Sequence, residues 1–395
     1  MSDKVPDGWK KYKLEEVAKI VGGGTPRTDI DEYWNGDIPW ITPKDLSNFN
    51  GRYISKGERS ITKKGLINSS AKLLPPGTIL LTSRAPVGYL AIAKNEITTN
   101  QGFRSLIPSD NVDNLFLFYS LKNNIKYLKF KATGTTFEEL NGSVLGSLVF
   151  LFPPIAEQRA IASVLSSLDD KIDLLHRENK TLTKILNTCY NLYFTAKHTK
   201  KKRTVPLSDI AEIITGKPAP IEEYNKKEGK TVKIASVRDF DYSKIYITDT
   251  KEHITQEAVD KMHYTIAPAN TVLFVYEISP GKVALTDCPM VTKTAIAQLR
   301  IKDNAYITPE YLYLYLKHFN YNRFIKTYTI VNSINKSKIG DIPIVIPDKE
   351  TIDKFTEQVV PLFTKVKTNN YTIQTLERLR NALLPALISG KIRVV

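Results

Sequence analysis

The chain repeats itself at a separation of 193 residues, and this repeat limits the possible folds more than any other feature of the sequence. The matching positions are apolar residues, glycines and threonines. They are Leu14, Val17, Ala18, Thr78, Gly88, Ala91 and Thr99 in the first copy, and Leu207, Ile210, Ala211, Thr271, Gly281, Ala284 and Thr292 in the second. A period this long is far beyond that of solenoid repeats. The sequence therefore predicts a duplicated domain.

Both copies show the same predicted order of elements. These are a short amphipathic helix (14–21, 207–214), β-rich runs bounded by Gly or Pro (79–82, 90–93, 272–276, 282–286), an aromatic helix (115–127, 310–324) and a closing strand that ends at Pro153 or Pro347. This mixture predicts an α/β domain of about 150 residues in each copy.

After each closing Pro, seam residues recur in alternating steps of four and three, which is the spacing of a coiled coil. The first seam consists of Ile161, Leu165, Leu168, Ile172, Leu175, Asn179, Leu182, Leu186, Cys189 and Tyr193, and the second of Phe355, Val359, Leu362, Val366, Asn369, Ile373, Leu376, Arg380, Leu383 and Leu387. Forty helical residues reach roughly 60 Å. A helix of that length needs another helix to cover its seam, and the other copy supplies one.

Antiparallel pairing that places Ile161 opposite Leu387 also brings Asn179 opposite Asn369. We expect a hydrogen bond between these two amides to fix the register of the helices. Two residues depart from an ideal seam. Pro361 is predicted to kink the second helix or break one turn. Arg380 has to extend its charge to solvent or find an acidic partner.

The composition favours an acidic partner. The chain has 56 Lys and Arg against 41 Asp and Glu, a formal charge of +15, so nucleic acid is the first candidate and an anionic membrane surface the second. No apolar run approaches a membrane span, the N-terminus lacks a signal-peptide core, and two cysteines indicate a reducing, cytoplasmic setting. The basic stretch 197–203 is either a solvated linker or an arm that contacts phosphates.

Catalytic signatures are missing from the sequence. The five histidines do not stand at the spacing of zinc ligands, and neither a Gly-x-Ser-x-Gly elbow nor a phosphate-binding P-loop occurs. Gly22, Gly23 and Gly24 lack the spacing of a dinucleotide site, so we interpret them as a loop whose backbone approaches another group closely. We expect a chain without catalytic residues or a metal site.

Polar loop residues at matching places in the two copies suit DNA recognition instead. Arginine can bind guanine, amides can pair with adenine, and hydroxyl or lysine side chains can hold phosphates. The alternative for any one of them is an ordinary exposed polar loop. The candidates are Thr25, Arg27, Thr42, Lys44, Arg84, Gln101, Arg104 and Thr135 in the first copy, and Lys217, Ser236, Arg238, Tyr276, Lys282, Lys293, Asn332 and Lys336 in the second.

Several motifs together resemble the specificity subunit of type I restriction–modification enzymes. The resemblance covers nearly the full length. The segments that carry it are Gly8-Trp9-Lys10, Gly23-Gly24-Thr25-Pro26, Tyr33-Trp34-Asn35-Gly36-Asp37-Ile38-Pro39-Trp40, Thr99-Asn100-Gln101-Gly102-Phe103, Pro153-Pro154-Ile155-Ala156-Glu157-Gln158-Arg159 and the tail from Leu383 to Ile392.

The resemblance implies an α/β fold of two tandem target recognition domains, separated by two long helices that form an antiparallel coiled coil. The expected boundaries are 1–154, 155–198, 199–347 and 348–395. It further implies double-stranded DNA as ligand, two methyltransferase (modification) subunits and restriction/translocase subunits as partners, and no cofactor in this chain. S-adenosylmethionine, ATP and Mg would belong to the partner subunits.

Two other functions are compatible with parts of the pattern. A helical scaffold that mainly assembles partner proteins would explain the seams, with the charge serving solubility. A free-standing enzyme would need catalytic groups that the motifs do not supply. The repeat, the seams and the charge together favour a non-catalytic subunit that reads a DNA target in two parts.

Overall fold

The computed structural model of the chain describes residues 5–47, 49, 51–84, 86–132, 139–194, 202–218, 230–241, 244–328 and 331–394, with the backbone alone for 325–328 and 331–332. Two compact units are present. The first comprises Met1–Asp173 and Thr375–Val395, and the second Leu174–Gln374. Each unit thus combines one copy of the repeat with a part of both long helices. The four-part division expected from the sequence stays a prediction.

The first unit contains three sheets. Its strands are β1 (Lys10–Lys13), β2 (Ala18–Gly22), β3 (Trp34–Ile41), β4 (Tyr53–Ile54), β5 (Arg59–Ile61), β6 (Ile79–Thr82), β7 (Leu90–Ala93), β8 (Thr98–Thr99), β9 (Phe103–Pro108) and β10 (Val149–Phe152). Its helices are α1 (Leu14–Val17), α2 (Pro43–Ser47), α3 (Lys63–Ile67), α4 (Asn114–Asn123), α5 (Ile125–Lys131), α6 (Gly142–Ser147) and the first part of α7 (Ile155–Phe194). The sheet orders are β2-β9-β6-β7-β4, β5-β3-β8 and β1-β10.

The second unit repeats this topology. Its strands are β11 (Lys202–Pro206), β12 (Ala211–Thr215), β13 (Thr231–Ala235), β14 (Tyr246–Ile247), β15 (Glu252–Thr255), β16 (Val272–Val275), β17 (Val283–Thr286), β18 (Met290–Thr292), β19 (Ile296–Ile301), β20 (Ile325–Tyr328), β21 (Val331–Ile334) and β22 (Pro343–Pro347). The helices are α8 (Leu207–Ile210), α9 (Gln256–Lys261), α10 (Pro309–His318) and most of α11 (Lys349–Ile388). The orders β12-β19-β16-β17-β14, β15-β13-β18 and β11-β22 match the first unit, and β20-β21 forms a separate pair. The predicted duplication is confirmed.

The opening helix of each copy is shorter than its pattern predicts. Only Leu14–Val17 and Leu207–Ile210 are helical. The next residues form β2 and β12, which pair antiparallel with β9 and β19. The predicted helices over 14–21 and 207–214 are therefore wrong in their second halves. Apolar residues three and four apart fit one helical face, but pairing with β9 and β19 gives partners to backbone groups of both strands.

The predicted aromatic helices are present and end early. Asp113 and Thr308 cap α4 and α10 by accepting hydrogen bonds from the N–H groups of Phe116 and Tyr311. In the first unit α5 follows after one residue, whereas the second unit has only a 3₁₀ turn at Tyr321–Arg323. These helices cover one face of each five-stranded sheet and provide large buried side chains, such as Tyr119 and Tyr313.

Within the second unit, α7 and α11 run antiparallel in the predicted register. Asn369 Nδ2 donates to Asn179 Oδ1 at 2.9 Å, and Asn179 Nδ2 donates to Asn370 Oδ1 at the same distance. The ring centroids of Tyr193 and Phe355, which the same register pairs, lie 5.5 Å apart. The predicted amide contact is therefore present. Its role in fixing the register stays a prediction.

The second helix tolerates its internal proline. α11 is unbroken through Pro361, so the expected broken turn is wrong. Pro361 is exposed, and so is Glu357, whose carbonyl loses its partner because proline has no N–H. Water can bind that carbonyl on the solvent side of the helix.

Within the first unit, Arg380 meets an acidic partner, as its seam position requires. Its Nη1 donates to Asp169 Oδ1 at 2.7 Å, and Tyr119 donates to Asp169 Oδ2 at 2.7 Å. Arg52 and Lys122 lie 3.9 and 3.8 Å from the same carboxylate. Burial alone would raise the pKa of Asp169, but attraction to Lys122 and the hydrogen bonds from Arg380 and Tyr119 outweigh it and lower that pKa.

Two features are absent from the described residues. None of the helices there is long and apolar enough to cross a membrane. The same part of the chain has no group of three or more His, Cys, Asp or Glu side chains that could hold a metal ion.

We predict that Asp169→Asn lowers the free energy of unfolding of the first unit by about 3 kcal/mol at neutral pH, because three cations lose their shared countercharge. Urea denaturation measures this loss. The folded pKa of Asp169 is below its unfolded value, so the stabilisation is complete above about pH 4 and is lost as the pH falls through the folded value. The gap between wild type and variant should therefore shrink in acid.

A neighbouring carboxylate provides the control for Asp169. Asp170 also binds Arg52, but its side chain is 65% exposed. Asp170→Asn should cost less than about 1 kcal/mol. Equal losses for the two variants would contradict a special role for the buried carboxylate.

Candidate nucleic-acid interface

Backbone hydrogen bonds gather four loops of the first unit at one end of its sheets. Gly24 N–H donates to Thr99 O at 2.9 Å, Asn100 N–H to Ile41 O at 3.0 Å, and Ser83 N–H to Gly102 O at 2.8 Å. We call these four loops the first loop cluster, residues 23–28, 42–45, 83–84 and 100–104. Most of the candidate residues of the first copy lie in it.

The second unit builds the same frame from equivalent residues. Lys217 N–H donates to Thr292 O at 3.1 Å, Lys293 N–H to Ala235 O at 2.9 Å, and Tyr276 N–H to Ala295 O at 3.0 Å. The second loop cluster comprises residues 216–218, 236–239, 276–281 and 293–295. The two clusters thus share backbone contacts at positions that match through the repeat.

Glycine is required where the loops cross. A Cβ atom on Gly23 would lie 2.0 Å from Asn100 O, and one on Gly216 would lie 2.2 Å from Lys293 O. No side chain fits at such distances. The close approach predicted for the first glycine loop is present, and the partner is the backbone of the same unit.

Thr42 and Ser236 belong to the frame of the clusters. The Thr42 N–H and hydroxyl both donate to Asp45 Oδ2 at 2.7 Å. The Ser236 N–H and hydroxyl donate to Asp239 Oδ2 at 2.8 and 2.7 Å. Ser236 is also buried. These hydroxyls donate within a local turn, and direct contact of the two residues with DNA stays a prediction.

The same turn carries different charges in the two units. Asp45 Oδ1 accepts from the Glu58 N–H at 2.8 Å, and Asp239 Oδ1 accepts from the Lys251 N–H at 3.0 Å. In the first unit Lys44 Nζ donates to Glu58 Oε2 at 2.7 Å, which raises the pKa of Lys44. In the second unit Arg238 takes the place of Lys44, and Lys251 takes the place of Glu58. One unit has an ion pair where the other has two cations.

Arg27, Thr25 and Gln101 form the exposed edge of the first cluster. Arg27 donates from Nε and Nη2 to the two oxygens of Asp29 at 3.2 and 2.7 Å, and these bonds lower the pKa of Asp29. Three N–H groups of the guanidinium remain for another acceptor. The Thr25 hydroxyl donates to Gln101 Oε1, which leaves the amide N–H groups of Gln101 for a ligand.

Arg84 and Arg104 share one carboxylate. Arg84 Nε and Arg104 Nη2 lie 3.1 and 3.2 Å from Glu139 Oε1, so this group keeps one net positive charge. The backbone of Arg84 also pairs with that of Glu139, and the equivalent pairing in the second unit joins Glu277 and Ser333. The side chains therefore differ between the units while the backbone contact is kept.

Tyr276, one of the predicted DNA contacts, is buried in the second unit. Its side chain is 2% exposed, and its hydroxyl donates to Thr294 O. Burial raises the pKa of Tyr276 to about 12. The equivalent residue of the first copy is Ser83, also buried. Tyr276 is therefore a core residue whose hydroxyl already has an acceptor within the unit.

The remaining candidates differ in their contacts and in their exposure to solvent. Lys217 Nζ donates to the carbonyls of Met262 and His263 at 3.0 and 2.8 Å. Lys293 pairs with Glu252, Lys282 is half-buried, and Lys336 is exposed in a 3₁₀ turn. Thr135 and the side chain of Asn332 lie outside the described residues.

Sequence reasoning missed the acidic residues that position the candidates. Asp45 and Asp239 stand three residues after a hydroxyl residue, which is a recognisable turn signal. Glu139 gives no such signal, because it is 35 residues from Arg104 along the chain. Lys251 was missed because its position became apparent only through its backbone contact with Asp239.

Comparisons with known proteins agree with this duplicated arrangement. The family model of the type I restriction modification DNA specificity domain matches twice, at residues 6–184 and 199–378. The type I restriction enzyme MjaIX specificity subunit of Methanocaldococcus jannaschii is 35% identical over 99% of this chain and 95% of its own length. The HindI specificity subunit of Haemophilus influenzae is 22% identical over 97% of this chain and 99% of its own. The crystal structure of a type I restriction–modification S subunit from M. genitalium has the same fold, with a TM-score of 0.66, 18% identity and 98% coverage of both chains.

The charge difference at the equivalent turns leads to a prediction about salt. Lys251→Ala should reduce the slope of log affinity for duplex DNA against log salt concentration by about one, because one phosphate contact is lost. Glu58→Lys should copy the second unit's pattern into the first and increase the slope by about two, because the variant adds one cation and frees Lys44 from its ion pair. Filter binding or fluorescence anisotropy over a salt series measures both. Unchanged slopes in both variants would place this turn away from DNA.

Proposed function

The chain belongs to the type I restriction–modification DNA specificity family, and from this premise we propose that it is the non-catalytic subunit that reads a bipartite DNA target. The observation that carries the proposal is the loop cluster, which occurs once in each unit on the same backbone frame. Two such clusters offer two recognition surfaces, and their different side chains suit two different half-sites.

The chemistry of each cluster supports direct contact with DNA. Arg27 and Gln101 keep N–H donors for acceptors on bases or phosphates, and Arg84 and Arg104 together keep a net positive charge. Arg238 and Lys251 add two cations in the second unit. The remaining candidates, Lys217, Lys282, Lys293, Lys336, Thr135 and Asn332, stay part of the proposal.

As a specificity subunit, the chain acts on DNA together with other subunits of a type I system. We propose that two methyltransferase subunits bind along α7 and α11, and that restriction/translocase subunits join them in the cytoplasm. S-adenosylmethionine, ATP and Mg would act on those partners. This chain would determine which DNA sequence is bound, and its partners would carry out methylation and cleavage.

The repeat also suits the symmetry of the ligand. The two strands of a duplex run in opposite directions, so half-sites that lie across a spacer can each face one copy of a duplicated domain. The paired helices would then set the length of the unread spacer. Their continuity from Ile155 to Phe194 and from Lys349 to Ile388 supports this role.

Sequencing of adenine methylation tests the proposal directly. Cells that express this chain with its modification subunits should methylate one bipartite motif. Exchange of residues 199–347 for the same segment of a relative with another target should alter one half-site and leave the other unchanged. A single continuous motif, or a change in both halves, would argue against two independent recognition surfaces.

The length of the helices provides a second test. We predict that one heptad inserted in each helix, between Asp173 and Leu174 and between Gln374 and Thr375, lengthens the spacer by about three base pairs. Seven residues add about 10.5 Å, and one base pair spans about 3.4 Å. The methylated motif reports the spacer. An insertion in one helix alone should abolish methylation, since the seams no longer match. Altered half-sites with an unchanged spacer would show that the helices do not set the spacer length.

A further inference from the structure

One residue of the second loop cluster has a backbone conformation that its side chain disfavours. Ile278 has φ +70°, and the other non-glycine residues with positive φ in the described part of the chain are Asn35, His263 and Asn270. Asn and His adopt this region with little penalty, whereas a β-branched residue is a genuine outlier there. Such strain persists only where neighbouring structure enforces it, and it concentrates at ligand-binding sites.

The surrounding turn enforces this conformation. Tyr276 O accepts from the Ile334 N–H at 2.8 Å, the Ser279 N–H donates to Glu277 O at 2.8 Å, and the Gly281 N–H donates to Val275 O at 3.0 Å. The backbone on both sides of Ile278 is therefore fixed to the strands of the unit. These contacts hold the isoleucine at the tip of the turn.

Ile278 is 62% exposed. An exposed isoleucine gains little from folding, so neither packing nor backbone preference accounts for this residue at this position. The neighbouring groups are suited to DNA. Lys293 lies in the adjoining loop of the same cluster, and Lys336 lies two residues after Ile334, which binds the turn.

We propose that Ile278 contacts the 5-methyl group of a thymine in the half-site read by the second unit, an inference that rests on the proposed function. An aliphatic side chain cannot donate or accept a hydrogen bond. The thymine methyl is the apolar group that base edges present in the major groove. Ile278 would therefore distinguish T·A from the other base pairs at one position, beside polar contacts from the same cluster.

Deoxyuridine tests this contact because it lacks only the 5-methyl group. The chain, assembled with its modification subunits, is titrated with duplexes in which each thymine of the half-site is replaced singly by deoxyuridine. With wild type, one replacement should weaken binding about 4-fold, the value of one buried methyl. With Ile278→Ala, the effect at that position should fall below about 2-fold, and the effects at other positions should be unchanged.

Two further variants control for folding and for loss of apolar surface. Ile278→Gly is expected to fold, since glycine adopts this φ freely, to raise Tm by about 2–4 °C and to lose the same thymine dependence. Ile67→Ala removes another isoleucine, 80% exposed on α3 of the first unit, and should leave all deoxyuridine effects in the second half-site unchanged.

Several outcomes would overturn the inference. These are a half-site without a T·A pair, deoxyuridine effects that Ile278→Ala leaves unchanged, and an Ile278→Ala variant that weakens assembly with the modification subunits but not DNA binding. The last outcome would assign the residue to a protein contact. Failure of the proposed function is distinguishable, because no bipartite target would then be found at all.

Discussion

Each recognition unit depends on a hydrophobic core that is shared between its sheets and both long helices. In the second unit, Leu186 and Tyr190 of α7 and Phe355 and Val359 of α11 are buried in one cluster with the sheet residue Phe274. The first unit does the same with residues of both helices. A sheet packed in this way cannot turn relative to its helices without exposing apolar surface, so the helices determine where the loop cluster of that unit points.

The order of elements could be predicted because the matching positions recur at one separation, and the seams because their residues recur in steps of four and three. The amide pair then followed from antiparallel pairing of the two seams. The limits of the prediction are also physical. Residues 18–22 fit a helix locally, and only the long-range pairing with β9 makes them a strand. Tyr276 resembles a loop residue until burial against the core is known. The acidic residues that hold the arginines come from distant parts of the chain, as Glu139 does for Arg104.

Loop residues in these units divide into a frame and a set of tips. The frame consists of backbone contacts, the two glycines at the crossings and the capping pairs Thr42–Asp45 and Ser236–Asp239. The tips are side chains that the frame presents to solvent. Equivalent tips differ in charge, as Glu58 and Lys251 do, while the backbone bond to the capping aspartate is kept.

This division explains how one fold can serve many targets. A substitution in the frame removes a buried hydrogen bond or introduces a clash with a carbonyl, and so lowers stability before it changes recognition. A substitution at a tip leaves the core and the loop crossings intact and changes only the groups offered to the ligand. Selection for new targets should therefore act on the tips, even where a tip such as Ile278 strains the backbone. Backbone strain at such a residue is tolerated because the contacts of the frame stabilise the folded unit by more than the strain destabilises it.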